Sequence, residues 1–127
     1  MLNKLRDALI ELDGFSDSSV FYGVAKETDA TKNVWNYIVF NRDVMKMNNN
    51  KTSFTFLYEV NIVQENYIQE GLIQDVINKM SDIGLRITDE PPEFSYVKKD
   101  DGTTVEILRL NFNYPRKRVS CYGSIQS

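Results

Sequence analysis

The chain has no histidine among its 127 residues. That removes the commonest general base, the commonest metal ligand and every Ser-His or Cys-His nucleophile pair. A single cysteine, Cys121, allows neither a disulfide framework nor a cysteine-built zinc site within one chain, and this sparse use suits a reducing, intracellular origin. The six glycines form no phosphate-cradling pattern after a strand. Long hydrophobic runs are lacking too: Asn3, Lys4, Arg6 and Asp7 interrupt the leucines at the N-terminus, and no later apolar run approaches the length needed to span a bilayer. The expectation is a soluble protein without a membrane partner. Excess positive charge is also missing: 15 basic residues face 18 acidic ones, a net charge of −3, which argues against broad electrostatic binding of nucleic acid.

What is present is aromatic and β-branched residues in alternation. In residues 53–63, SFTFLYEVNIV, one face takes Phe54, Phe56, Tyr58, Val60 and Ile62, and the other takes Thr55, Leu57, Glu59, Asn61 and Val63. Because Leu57 and Val63 lie on the second face, the pattern suits a central strand covered at least partly on both sides. Leu72, Ile73, Val76, Ile77 and Met80 then recur at helical spacing; Gly84 supplies a stop, and Asn66 with Gln69 offers a capping box. Upstream, Leu2, Leu5, Leu9 and Leu12 make a short amphipathic helix that ends at Asp13-Gly14. Residues 20–26 and 34–41 read as strands, separated by a polar turn over 27–33. Downstream, residues 85–88 form a short strand, Pro91-Pro92 a rigid turn, and 93–98 with 103–114 a hairpin closed by Asp101-Gly102. Pro115 is expected to stop the last strand.

The order predicts an α+β fold with a mixed, mostly antiparallel sheet of about five strands flanked by two helices. One domain over 1–115 and a C-terminal tail over 116–127 are expected. Between the second and third strands, residues 42–52 are rich in asparagine and lysine, poor strand formers, and predict a long, mobile hairpin arm. Its residues Arg42, Val44, Met45, Lys46, Met47, Asn49 and Lys51, with the basic cluster Arg116, Lys117 and Arg118, are the candidate partner-binding residues. Val44, Met45 and Met47 are apolar side chains with no obvious core to enter. A tolerated surface loop is the plainer alternative for the arm, and a solvated terminus or a contact with phosphate or an acidic neighbour are the alternatives for the basic cluster.

Chemistry is harder to find. The pairs Asp89-Glu90 and Asp100-Asp101 lie in turns, where aspartate is favoured for local reasons. Glu59 sits mid-strand in the most apolar stretch, as either a carboxylate with a raised pKa or one paired with a cross-strand cation such as Arg109. No second catalytic group accompanies it, so neither an enzyme nor a cofactor is expected.

The short N-terminal helix, VWNYIVFNRD and SFTFLYEVNIV around a polar arm, the helix LIQDVINKMSDIGLRI and the closing hairpin EFSYVKKDDGTTVEILRLNFNYPRK resemble the small tail-terminator, or tail-completion, proteins of long-tailed bacteriophages. The likeness covers nearly the whole chain and lies in element order and size, not in a diagnostic motif. It implies a ring, usually of six subunits, that caps the tail tube, ends its growth and meets the head connector, in the virion after assembly in the host cytoplasm. The implied partners are further copies of the chain, the tail-tube protein, the head-connector or stopper protein, and DNA that passes through the channel without sequence-specific binding. In that frame 42–52 corresponds by position to an arm ordered on ring formation. Another head-tail connector or neck protein, and a monomeric ligand-binding or regulatory domain, are the alternatives.

Overall fold

A computed structural model describes residues 1–32, 34–47 and 53–117, with side chains for all of these except Ala30, Ser53, Phe54, Pro115, Arg116 and Lys117. The elements are α1 (Leu2–Ile10), β1 (Val20–Tyr22), α2 (Asp29–Lys32), β2 (Asn36–Met47), β3 (Ser53–Glu65), α3 (Glu70–Asp82), β4 (Arg86–Ile87), β5 (Glu93–Lys98) and β6 (Thr104–Lys117). The fold is α+β, and one six-stranded sheet carries it in the order β1-β2-β3-β6-β4, with β5 also paired to β6. Only the β1–β2 pair is parallel; its crossover contains the four-residue α2 within the stretch that the sequence assigns to a turn. Thr31 explains that turn of helix: its hydroxyl accepts the Thr28 N–H at 2.9 Å and donates to the Lys26 carbonyl at 2.7 Å.

The expected central strand is central. β3 pairs antiparallel with β2 on one side and with β6 on the other, in unbroken register with β6 from Ser53↔Lys117 to Glu65↔Val105. Ile38, Phe40, Tyr58, Val60, Ile62, Leu108, Leu110 and Phe112 form the buried face of the sheet, and Leu5, Leu9, Val76 and Met80 close over it from α1 and α3, joined by Leu12 just after α1. Ile73 and Ile77, half buried, lie at the margin of this core. Among the described residues, α1 and α3 leave the opposite face uncovered. It carries a small cluster of buried Phe21, Val63 and Val105 beside a polar strip of Asn61, Glu59, Arg109 and Asn111.

Four local expectations are corrected. β1 ends at Tyr22 and not at residue 26, because Gly23 turns out of the sheet at φ +81° while its N–H still reaches the Phe40 carbonyl. Asn66 does not cap α3. It sits at φ +67° and extends the β3–β6 ladder through its N–H to the Thr104 carbonyl, and Gln69 is the N-cap residue, without a side-chain bond. Residues 42–47 are not loop; they are the second half of β2. Finally, β6 continues through Pro115 to Lys117, two residues into the expected tail. Gly84 does end α3 at φ +93°, with its N–H on the Ser81 carbonyl and the Leu85 N–H on the Met80 carbonyl.

Pro115 is tolerated because of where its nitrogen points. The Asn66 N–H to Thr104 bond makes even-numbered β3 residues the hydrogen-bonded partners of β6, so at Thr55↔Pro115 the backbone groups of Pro115 point away from β3. On that side β4 pairs β6 only at Phe112 and Asn113. A missing N–H there costs no ladder bond.

Candidate assembly surface: a three-stranded arm

The second half of β2 (42–47), the start of β3 (53–58) and the end of β6 (112–117) form a three-stranded ribbon that continues the sheet. Six residues of strand make it about 20 Å long. Along β2 the burial changes abruptly: Ile38 and Phe40 are buried, whereas every residue from Arg42 to Met47 is exposed. The N-terminus of α1 marks the base of the ribbon. There Met1, Leu2, Asn3, Arg42, Phe56 and Tyr58 line an open groove of about 420 Å³.

A bulge decides what this ribbon presents. Arg42 pairs with Tyr58 and Met45 with Phe56, so Asp43 and Val44 together oppose Leu57. Without the extra residue, Met45 and Met47 would follow Val39 and Asn41 onto the face away from α1 and α3. With it, Met45 lies in one row with Phe56 and Tyr114, on the face that carries the core further down the sheet. Met45 and Met47 are about half exposed (53% and 47%), and Phe56 and Tyr114 are half buried at the core margin. The arm therefore carries the apolar face of the sheet out beyond its helical cover. Lys46, paired with Thr55, falls on the opposite face, and Val44 is exposed in the bulge.

The sequence-based candidates divide accordingly. Arg42, Val44, Met45, Lys46 and Met47 are brought together on the arm. The backbones of Arg116 and Lys117 join them across β3, opposite Phe54 and Ser53. Asn49, Lys51 and Arg118 lie outside the described residues, as does Cys121. The residues that sequence reasoning did not assign to this surface are Met1, Leu2, Phe56 and Tyr114. Phe56 and Tyr114 read as core from their alternation, and nothing in that pattern signals that helical cover ends before them.

The remaining candidates have structural work. The Glu59 carboxylate accepts a bond from Asn61 Nδ2 at 2.9 Å, and its second oxygen lies 3.8 Å from Arg109 Nε, the diagonal cross-strand partner. It is thus engaged in the polar strip of the face away from α1 and α3. Asp101 Oδ1 accepts the Thr103 N–H at 2.9 Å inside the β5–β6 turn, and the Thr103 hydroxyl, followed by this backbone bond, holds its carboxyl below the ordinary aspartate range. Near this turn Glu106 accepts the Ile68 N–H at 2.8 Å and the Tyr96 hydroxyl, which raises the Tyr96 pKa. Glu106 thereby ties the approach to α3 onto the outer hairpin. Among the described residues no group of three or more His, Cys, Asp or Glu side chains is placed to hold a metal ion, and no helix is long and apolar enough to cross a membrane.

No family model and no curated protein sequence matches the chain.

Proposed function

We propose that the chain is a structural, non-catalytic subunit of a long-tailed bacteriophage, a tail terminator that closes into a ring, hexameric in the family it resembles, on the end of the tail tube. The observation that carries this reading is the arm: a strand-built extension whose apolar row, Met45, Phe56 and Tyr114, continues the core face past its helices. Two methionines stand half exposed on this ribbon, and burying the exposed half of each against a partner would contribute about 1 kcal/mol. The likeness in element order and chain size to tail-terminator proteins supplies the kind of assembly. In this reading one end of the ring meets the tail-tube protein, the other meets the head-connector or stopper protein, and DNA passes through the channel without being read. The virion is then its final location, and the arm supplies contacts that hold the ring or seat it on the tube.

Native mass spectrometry with negative-stain imaging of the full chain tests the reading. A closed ring of one defined subunit number is the expected result. Strict monomers, alone and in the presence of tail tubes, would overturn it.

A further inference from the structure

Charge is unevenly spread along the sequence: residues 42–58 and 112–127 contain six basic residues and one acidic one, a balance of +5, which leaves nine basic and 17 acidic residues, or −8, for the rest. On the arm, Arg42 and Lys46 are exposed and have no ion-pair partner among the described residues.

The opposite sign collects in the seam between α1 and α3. Glu11, Asp13, Asp75 and Asp82 line an open groove of about 260 Å³ together with Asn78 and Lys79. Asp75 and Asp82 are seven residues apart on α3, hence on one face of the helix. Lys79 Nζ pairs with Glu11 at 3.1 Å, while Asp13, Asp75 and Asp82 have no cationic partner among the described residues. The arm runs on from the sheet past its helical layer, so its cations do not fold back onto this seam within one chain. Among the described residues no ion pair joins the two surfaces within one chain, which leaves both open to another copy.

Resting on the reading of the chain as a self-assembling subunit, we propose that the arm of one copy docks on the α1–α3 seam of the next, with Arg42, which shares the face of the methionine row, against Asp13, Asp75 and Asp82. The occupant of the seam is thus a second copy. The contact joins two different patches and is heterologous, and such contacts generate a ring when the rotation closes. Opposite charge selects the partner and sets the register, and the methionine row is covered as the surfaces close. Association should weaken as salt rises, because the paired groups start out exposed.

Two reversed variants of the full chain test this. Arg42→Glu reverses the docking face of the arm, and Asp75→Lys with Asp82→Lys reverses the seam; all three positions are exposed, so the thermal melts should match the wild type. Sedimentation velocity at low salt should show wild-type assembly and an association roughly 100-fold or more weaker for each variant alone. An equimolar mixture should recover it, since a reversed arm then finds a reversed seam while a native arm finds a native seam. Variants that assemble like the wild type, a mixture that stays monomeric, or a wild type that never associates would each overturn the arm–seam contact. The ring reading fails separately: a closed ring that persists in both variants removes the contact and keeps the ring, whereas open chains rescued by mixing keep the contact and remove the ring.

Discussion

At the scale of single residues, the turns hold the chain's most local commitments. Gly84 sits at φ +93°, and a Cβ there would lie 3.6 Å from the Tyr114 ring, so space is available and conformation is the obstacle. Gly84→Ala should cost about 1–2 kcal/mol in urea denaturation, the penalty of a left-handed L-residue. Asp101 gives a pH signature. Its folded pKa is lowered by hydrogen bonds from Thr103, the hydroxyl first and the N–H second, so its contribution is present above the ordinary aspartate pKa and is lost as pH falls through the folded value. Asp101→Asn should therefore be less stable than wild type near neutral pH, and the gap should close below about pH 4. A gap that widens in acid would mean that the carboxylate does not hold the turn. Both residues were legible as turn formers, since Gly84 comes directly after the last helical repeat and Asp101-Gly102 links two alternating runs. Asn66 was not: its type suits a cap and a left-handed bend equally, and pairing with Thr104, far along the chain, selected the bend.

At the scale of elements, the same apolar chemistry has different consequences on the core and on the arm. Phe112 is fully buried in the middle of β6, and Phe112→Ala should cost about 3–5 kcal/mol. Met45 is 53% exposed, and Met45→Ala should change monomer stability by no more than about 0.5 kcal/mol while weakening assembly. Urea denaturation of both variants separates the two roles; a large loss for Met45 would place it in the core. Strands β3 and β6 and helices α1 and α3 were readable because hydrophobic spacing and burial agree along each, whereas β5, exposed throughout, was readable from the Asp101-Gly102 turn that joins it to β6. The second half of β2 was not, for a physical reason. Its bulge adds a residue between Arg42 and Met45, which breaks the period-two pattern, and Lys46 is a poor strand former held in place by pairing with β3. Pro115 misled in a similar way, since a proline stops a strand only where its N–H is needed, and that depends on where β4 ends.

At the scale of the whole molecule, the sheet has one face covered by helices, one face with a partly polar surface, and an arm that extends the apolar face into the open. That layout was only half legible. An arm between the second and third strands was expected, yet a loose loop and a three-stranded ribbon differ in what they can do. A loop orders on binding at a cost of about 1–2 kcal/mol per residue, whereas paired strands have largely met that cost already. The arm's charge and its apolar row both call for a partner surface, and the α1–α3 seam offers the complementary charge on another copy. Deletion of residues 45–51 should thus leave the core residues Val60, Val76 and Phe112 untouched and the monomer folded. The most direct measurement is native mass spectrometry of the full chain beside this deletion variant over a wide concentration range, with circular dichroism confirming that both are folded. The account predicts a closed ring of one defined subunit number for the full chain and folded monomers for the variant. An arm-deleted chain that forms the same ring would contradict it.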